Sequence, residues 1–546
     1  MKTIKPTLLM LQTGVFCLLL IGGVNIANLF LIRASSRSKE MAVRQVLGAG
    51  RGDIMRETLY KTLTLTTCGG LLGIGVGALG IRLMGVLGID KLPLGAGITL
   101  DSRVVLVAVV GSSIVGIALA VPVVWFHVKG QLATALQAES RGGTVSCNAQ
   151  RVRHGFIVAQ IALTLILLSG AGMLSRSLKR VMEVSPGFNP TNVVAGRISL
   201  PNKRYKEEAD RLAFVDRLIP TVVTIPGVKR AAIITGLPFC GGSSDNATNI
   251  EGFTYNDENS IRTHQNSGVK GDYWKLMGIP LKEGRLLDSM DARSDTRVCV
   301  VDEDMAAFYW KDGESPLGKR LCSDPEFKEE EAFTIVGVVG GVKRQELGDQ
   351  KSIGSIYYPY QHQTWDNFSL VLQSEIDPNA VMNTLRKTIL NLDPELPIDN
   401  LKAMETLIDE SLATRRSPAI LSIVFAGVAL LLASIGTYGV LAFVVSQKQR
   451  EVGVRMAIGA SPTYIRWQFL LLGLRLLLLG LSIGVIGVWF MGRAVNGLLF
   501  EMPSFHFGSV LAATSLMILV SQLACLLPSL RASRIPPTLV LSEAGT

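Results

Sequence analysis

Apolar and polar positions follow two different rhythms along this chain. Seven runs stay apolar for about 20 residues, the length that crosses a bilayer as a helix. They are Leu8–Ile32, Leu63–Leu87, Val104–Phe126, Phe156–Leu174, Ala419–Val445, Phe469–Phe490 and Val510–Leu530. The fourth reads as the shortest. Between the fourth and fifth runs lies a polar stretch, Lys179–Arg416, whose pattern is that of a water-soluble domain. Within it, Glu207–Thr224 predicts an amphipathic helix with Leu212, Val215, Leu218, Ile219 and Val222 on one side. Pro226-Gly227 ends it, and Lys229–Thr235 predicts a strand. The same order returns as strand Phe368–Gln373, helix Asn379–Leu392 and a break at Asp393-Pro394. Two such units predict a ferredoxin-like α+β piece. Shorter strands between them, Arg297–Val301 and Phe333–Val339, predict a β-rich second subdomain.

A short basic stretch occurs twice. The first copy runs from Ser36 to Ala49, the second from Gln447 to Ala460, and a shift of 411 residues superposes them (Glu40 on Glu451, Arg44 on Arg455, Gly48 on Gly459). Each copy follows one apolar run and precedes another. The chain therefore reads as a duplicated module with an insertion between its halves. In each copy the acid stands four residues before the arginine, the favourable order for a pair on one helix face. The glycine four residues further on is a natural helix stop. A solvated juxtamembrane helix would also show these features, but their recurrence favours a contact surface. The candidate partner-contact residues are Glu40, Arg44, Gly48, Glu451, Arg455 and Gly459.

Composition fits the membrane reading. Of 546 residues, 48% are hydrophobic and only 18% charged, and mean hydropathy is +0.36. The net charge of +10 is most simply topological, because Lys and Arg are retained on the cytoplasmic side. The short loops carrying both motif copies are Lys/Arg-rich, as are Lys129–Arg153 and Arg531–Arg534. The opposite short loops hold only Lys91 and Arg103, and Arg493. Both copies and the C-terminus are thus expected in the cytoplasm, and Lys179–Arg416 outside. Seven spans put the N-terminus outside, although Lys2 and Lys5 pull the other way. The first run ends in a basic cluster without an A-x-A-like site, so it reads as a retained span rather than a signal peptide. No basic face with aromatic or groove-reading partners points to nucleic acid.

Catalytic motifs do not assemble. Gly313–Arg320 fits GxxxxGK, but it ends in Arg where a P-loop needs Ser or Thr, and it lies on the extracytoplasmic side. Gly75–Gly80 fits GxGxxG inside a span, where glycine serves close helix packing. Leu168–Gly172 imitates an ATPase signature and is also inside a span. The five histidines are scattered, with no HExxH and no GxSxG. Asp302, Glu303 and Asp304, with Asp288 and Asp291, read as a solvated loop or a helix start. Neither an enzyme, a cofactor nor a metal site is expected. Cys240, Cys299 and Cys322 leave room for one disulfide, on weak spacing.

The order of parts resembles a known family. Arg44–Ala49 and Arg455–Ala460 between paired spans, with the polar tails Ala135-Leu136-Gln137 and Leu539–Glu543, resemble the FtsX-like permease domain of MacB-type ABC transporters, present twice. Pro226-Gly227-Val228, Gly271–Pro280 and Gly337-Val338-Val339 resemble the MacB-type periplasmic core domain. Arg151–Pro201, with Val184–Phe188, looks like the junction in large duplicated acidobacterial permeases. Such permeases usually begin with a further span and a first periplasmic domain, and this chain starts at what would be their second span.

The expected fold is thus an α-helical transmembrane bundle of about seven spans with a large inserted extracytoplasmic α+β domain. The expected domains are 1–145 (first permease domain), 146–178 (linker and fourth span), 179–416 (core domain) and 417–546 (second permease domain). The resemblance implies a permease of an ABC-type export or mechanotransmission system in the bacterial inner membrane. It implies a separate cytoplasmic ATPase as partner, a periplasmic adaptor or outer-membrane partner, and a homo- or pseudo-dimeric arrangement. The competing expectation is an FtsX-like regulator or scaffold that exports nothing.

Overall fold

The computed structural model describes residues 4–36, 51–86, 100–129, 147–241, 244–253, 262–291, 297–311, 313–324, 327–348, 354–362, 364–495 and 505–533. The chain divides into two compact units, Met1–Arg180 with Ala413–Thr546, and Val181–Leu412. The first unit opens with four helices: α1 (Ile4–Ser36), α2 (Arg51–Val86), α3 (Ser102–Lys129) and α4 (Cys147–Met182).

The second unit carries β1 (Val193–Ser199), α5 (Glu208–Val223), β2 (Val228–Ile234), β3 (Ser244–Ile250), β4 (Arg262–Gly271), α6 (Tyr273–Met277), β5 (Leu281–Gly284) and β6 (Val298–Asp302). It continues with α7 (Glu303–Tyr309), β7 (Arg320–Cys322), β8 (Phe333–Val339), β9 (Ser355–Pro359), β10 (Asn367–Ser374), α8 (Pro378–Leu392), β11 (Ile398–Ala403) and α9 (Met404–Ser411). The strand order β11-β1-β10-β2 is antiparallel throughout. With α5 and α8 as the crossovers, this is the ferredoxin-like arrangement the sequence pattern predicts. The apolar stripes explain the packing. Val215, Leu218 and Val222 of α5 and Val381, Leu385 and Ile389 of α8 share one core with Val194, Ile198, Ile233, Leu370 and Leu372 of the sheet. Each such fully buried side chain contributes about 1.5–3 kcal/mol. Asp377 caps α8 by accepting from Asn379 N–H at 2.8 Å, with Pro378 at its first turn.

The remaining strands form the β-rich part. β4 pairs with β3, β3 with β7, β7 with β8, β8 with β6, β6 with β9, and β9 returns to β4, so the ladder closes on itself. Cys299, Val301, Ile335, Ile356 and Tyr358 line its interior. Closure removes exposed edges. Cys240, Cys299 and Cys322 are free thiols, and the latter two are buried. The disulfide that their spacing left open is not formed.

The chain then re-enters the first unit with α10 (Ala413–Gln447), α11 (Gln449–Ala457), α12 (Pro462–Val495) and α13 (Phe507–Ala532). Among the described residues, α1, α2, α4, α10, α12 and α13 are long and apolar enough to cross a membrane. The expected run Val104–Phe126 lies within α3, a helix of 28 residues. Six of the seven expected spans thus coincide with helices that meet this criterion. One correction concerns the fourth span. Its membrane-length stretch is Gln150–Met182, 33 residues, and it is the most buried of the six. Flanking Arg151, Arg153, Arg176 and Lys179 lower the local hydropathy without ending the helix, which is why the apolar run alone made it look short.

Candidate functional site

The second copy of the basic motif forms the corner between two membrane-length helices. α10 ends at Gln447, and Lys448 leaves helical geometry (φ −94°, ψ 8°) before α11 begins. α11 is short because its C-terminus is closed firmly. Gly459 has φ 102°, a conformation that costs a side chain dearly. Its N–H donates to the Met456 carbonyl at 3.0 Å, and Ala460 N–H donates to the Arg455 carbonyl at 2.9 Å. This is a complete Schellman closure. Ser461 then accepts from Tyr464 N–H at 3.3 Å, with Pro462 as the first residue of α12.

The charged pair sits on this corner. Arg455 donates through Nη2 to Glu451 Oε1 at 2.5 Å and through Nη1 to Gln468 Oε1 at 3.0 Å. Lys448 Nζ lies 3.7 Å from Glu451 Oε2. The arginine therefore joins α11 to the first turns of α12. Both partners of the ion pair stay about two-fifths exposed, so the pair by itself stabilises by only about 0.3–0.5 kcal/mol. On the inner side Val452 shares an apolar cluster with Ile465 and Phe469. On the outer side Ile458 is 82% exposed and Val454 41%. Val454 and Ile458 thus present apolar surface to solvent beside Arg455.

The same end of the bundle is laced together. Arg466 Nε donates to Ser533 Oγ at 3.0 Å, linking α12 to the end of α13. Arg531 Nη1 donates to Tyr438 Oη at 3.0 Å, linking α13 to α10. Arg153 of α4 lies 4.5 Å from the centre of the Phe443 ring of α10. Loop charge places this end in the cytoplasm.

Glu451, Arg455 and Gly459 are thus brought together on one corner. Glu40, Arg44 and Gly48 lie outside the described residues, as do the polar tails at Ala135–Gln137 and Leu539–Glu543. The helix ends flanking the first motif are described, and both are displaced from their counterparts by 411 residues: Ser36 from Gln447, and Arg51 from Pro462. Gln468, Ile458, Tyr438 and Ser533 were not foreseen. The repeat shift itself offers a signal for Gln468, because Glu57 occupies the equivalent place in the first half.

The motif imitations resolve into structure. Lys319 of the GxxxxGK-like run pairs with Glu314 at 2.7 Å, and a strand follows instead of the helix N-terminus a phosphate needs. Asp302 caps α7 by accepting from Met305 N–H at 2.9 Å. Asp291 is held by Arg285 at 2.6 and 2.7 Å. Among the described residues, no three His, Cys, Asp or Glu side chains converge as metal ligands.

In the extracytoplasmic unit, sequence reasoning missed a cleft of about 260 Å³ lined by Gly236, Leu237, Phe239, Gln265 and Arg344 among others. Arg344 Nη2 donates to the Gly236 carbonyl at 2.5 Å and to Ser267 Oγ at 2.8 Å. Arg197 Nη2 donates to the Cys240 and Gly241 carbonyls at 2.8 and 2.7 Å. Two guanidinium groups thus hold the β2–β3 loop from both ends.

Comparison with known proteins agrees with this layout. Residues 13–136 and 423–537 match the FtsX-like permease C-terminal family. Residues 155–388 match the MacB-like periplasmic core domain. The macrolide export ATP-binding/permease protein MacB of Acinetobacter baylyi is 23% identical over 424 residues, covering 73% of this chain and 58% of that protein. A probable export ATP-binding/permease protein of Pseudomonas fluorescens is 26% identical over 290 residues, covering 51% of this chain and 43% of that protein. The chain spans about half the length of these curated relatives. The solved periplasmic region of MacB from Actinobacillus actinomycetemcomitans is similar at a TM-score of 0.29 and 18% identity, covering 42% of this chain and 97% of that one.

Proposed function

The chain belongs to the MacB/FtsX-type permeases, and from that premise we propose that an ATP-hydrolysing partner on a separate polypeptide drives it through the two basic corners. It is a multi-pass protein of the bacterial inner membrane with a large extracytoplasmic domain. In this reading the corner at Glu451, Arg455 and Gly459, and its first-half counterpart at Glu40, Arg44 and Gly48, receive the motor. Motion of the spans then reaches the extracytoplasmic domain, where the transport step of an export system takes place. The names of the relatives, which join export, ATP binding and permease, support the class of system. A periplasmic adaptor or outer-membrane partner would complete it.

The observation that carries this reading is the double attachment of Arg455. Through Glu451 and Gln468 it ties α11 to α12, and only Lys448 separates α11 from α10. A push on α11 is therefore delivered to two membrane-length helices, while the exposed Ile458 gives the motor an apolar point of purchase.

The test is the double substitution Arg44→Glu with Arg455→Glu. Losing internal pairs costs about 0.5 kcal/mol each, too little to block insertion. Facing an acidic motor surface, each reversal costs several kcal/mol at the interface. The expected result is normal membrane insertion with loss of co-purification of the cognate ATPase and of its stimulation. A double variant that recruits and stimulates the ATPase like the parent refutes the proposal.

A further inference from the structure

The cleft in the extracytoplasmic unit lies where the two parts of that unit meet. Leu237 and Phe239 come from the loop between β2 and β3, Gln265 from β4, and Arg344 and Gln345 from the chain after β8. β2 belongs to the ferredoxin-like sheet, and β4 and β8 to the closed ladder. The loop is held in a costly shape. Phe239 has φ 63°, a left-handed backbone that a bulky side chain rarely adopts. Its N–H donates to the Arg344 carbonyl at 2.7 Å, and the Arg344 guanidinium reaches back to the Gly236 carbonyl and to Ser267 Oγ. Such strain persists only where the surroundings over-determine it, and it gathers at ligand clamps. Here it stands Phe239 in the cleft wall, its ring 6.2 Å from that of Phe188.

The charge of the cleft is unbalanced. Among the described residues, the Arg344 side chain meets carbonyl and hydroxyl oxygens and no carboxylate. Asp302 approaches Ser355, a neighbour of Arg344, but is committed to capping α7. Behind Gly241, Arg197 gives Nη2 to the Cys240 and Gly241 carbonyls. Lys402 acts on the same Cys240 but is paired with Glu410 at 2.7 Å. Carbonyl dipoles orient a guanidinium without cancelling its charge. The wall at Leu237 and Phe239 is apolar. Gln265 is 7% exposed, and its Oε1 has no hydrogen-bond partner among the described residues.

We propose that this cleft binds a small organic monocarboxylate, with its carboxylate on Arg344 and a short apolar body against Leu237 and Phe239. A guanidinium suits a carboxylate through paired N–H donors. The unpaired acceptor of Gln265 disfavours further acceptor-only groups beside that carboxylate, and a phosphate would set oxygens against apolar walls that offer them no donor. The cavity of about 260 Å³ falls below the range of about 300–1,000 Å³ that takes drug-sized ligands, so the acid is small. Once bound, it ties the β2–β3 loop to the chain after β8 and clamps the two parts of the unit together. The site is independent of the motor coupling proposed above.

The test is isothermal titration calorimetry of the full chain in lipid discs, with 4-methylpentanoate, 4-methylpentanamide and inorganic phosphate as the probes. The expected result is saturable one-to-one binding of 4-methylpentanoate and none of the amide or of phosphate. No binding of the acid, or equal binding of the amide or of phosphate, overturns the proposal. Gln345→Glu supplies the second arm. Gln345 is an exposed wall residue, so the variant keeps the parent's unfolding temperature, while the like charge weakens binding of 4-methylpentanoate by about tenfold or more. Phe239→Gly suits the left-handed backbone, so it folds, and removal of the ring weakens binding of the same acid. An affinity unchanged in Gln345→Glu, or in Phe239→Gly, places the acid elsewhere and overturns the proposal.

Discussion

Gly480 and Gly69 occupy equivalent places in the two halves, 411 residues apart, yet alanine should act oppositely at each. At Gly480 of α12 the added Cβ would stand 2.5 Å from Ile161 Cγ2 and 3.0 Å from the Val158 carbonyl oxygen, both on α4. Ile161 Cβ itself would stand at 2.6 Å; no Cβ tolerates that approach, so α4 must retreat. Overpacking of this kind costs about 1–3 kcal/mol. At Gly69 of α2 the added Cβ meets nothing within 4 Å among the described residues. The substitution there gains up to about 1 kcal/mol from helix propensity. The assay is the apparent unfolding temperature of the purified chain in one lipid preparation, read from tryptophan fluorescence. Gly480→Ala lowers it, while Gly69→Ala leaves it unchanged or raises it. Equal shifts in the same direction for the two alanine variants would refute the closure of α4 on α12.

Two further outcomes follow from the extracytoplasmic unit and from orientation. Burial pushes the Asp302 carboxyl up to about 6, with Asp304 adding to it, so the stability it contributes is complete below about pH 4 and is lost as pH rises through about 6, a span of about 3 kcal/mol. The unfolding midpoint of this unit should rise between pH 7 and pH 5, and Asp302→Asn should flatten that rise; an unchanged pH dependence in the variant removes Asp302 as its source. In a cysteine-free background, Ser446→Cys should resist an impermeant thiol reagent in intact cells and Lys206→Cys should react; reaction at position 446 without permeabilisation inverts the topology.

Much of the architecture is legible because its elements advertise themselves through apolar period. α5 and α8 carry clean 3.6-residue stripes, and β2, β8 and β10 are apolar strands bounded by glycine, proline or aspartate, so their limits fall within a residue or two of the pattern. β4 escaped for the opposite reason. Its sequence, Arg-Thr-His-Gln-Asn-Ser-Gly-Val-Lys-Gly, is polar, yet His264, Gln265, Asn266 and Ser267 are buried. It pairs with β2, β3 and β9 along different parts of its length, and Ser267 Oγ accepts from Arg344. A polar strand buried by three neighbours is held by tertiary partners that no local window contains, among them Tyr309 on His264 and Arg344 on Ser267. The corner behaves similarly. The i,i+4 pair and the terminal glycine are local and visible. The bond from Arg455 to Gln468 spans the turn into the next helix and depends on the angle that Gly459 sets.

The same contacts show how duplication has become unequal. Gln160 and Arg153 place α4 against α10, and Ile161, Leu165 and Ile166 fill the positions of Gly480, Gly484 and Gly487 on α12. In the first half Gly69 and Gly73, the equivalents of Gly480 and Gly484, meet no described neighbour. α4 leads into the extracytoplasmic domain and α10 leads out of it. Both covalent attachments of that domain therefore belong to helices packed in the second half, beside the corner at Arg455. The first half meets them through α1, which packs on α10 and places Gly14 beside Phe425 of α10 and Leu167 of α4. If motor strokes enter at both corners as proposed, the two inputs are mechanically different. One acts directly on helices that continue into the domain, and the other acts through an interface whose stiffness rests on Asn25, Gly436 and the Gly14–Phe425 contact. Equal strokes from the motor are thus compatible with an asymmetric response in the permease, and the asymmetry comes from which helix α4 packs against rather than from the corners themselves.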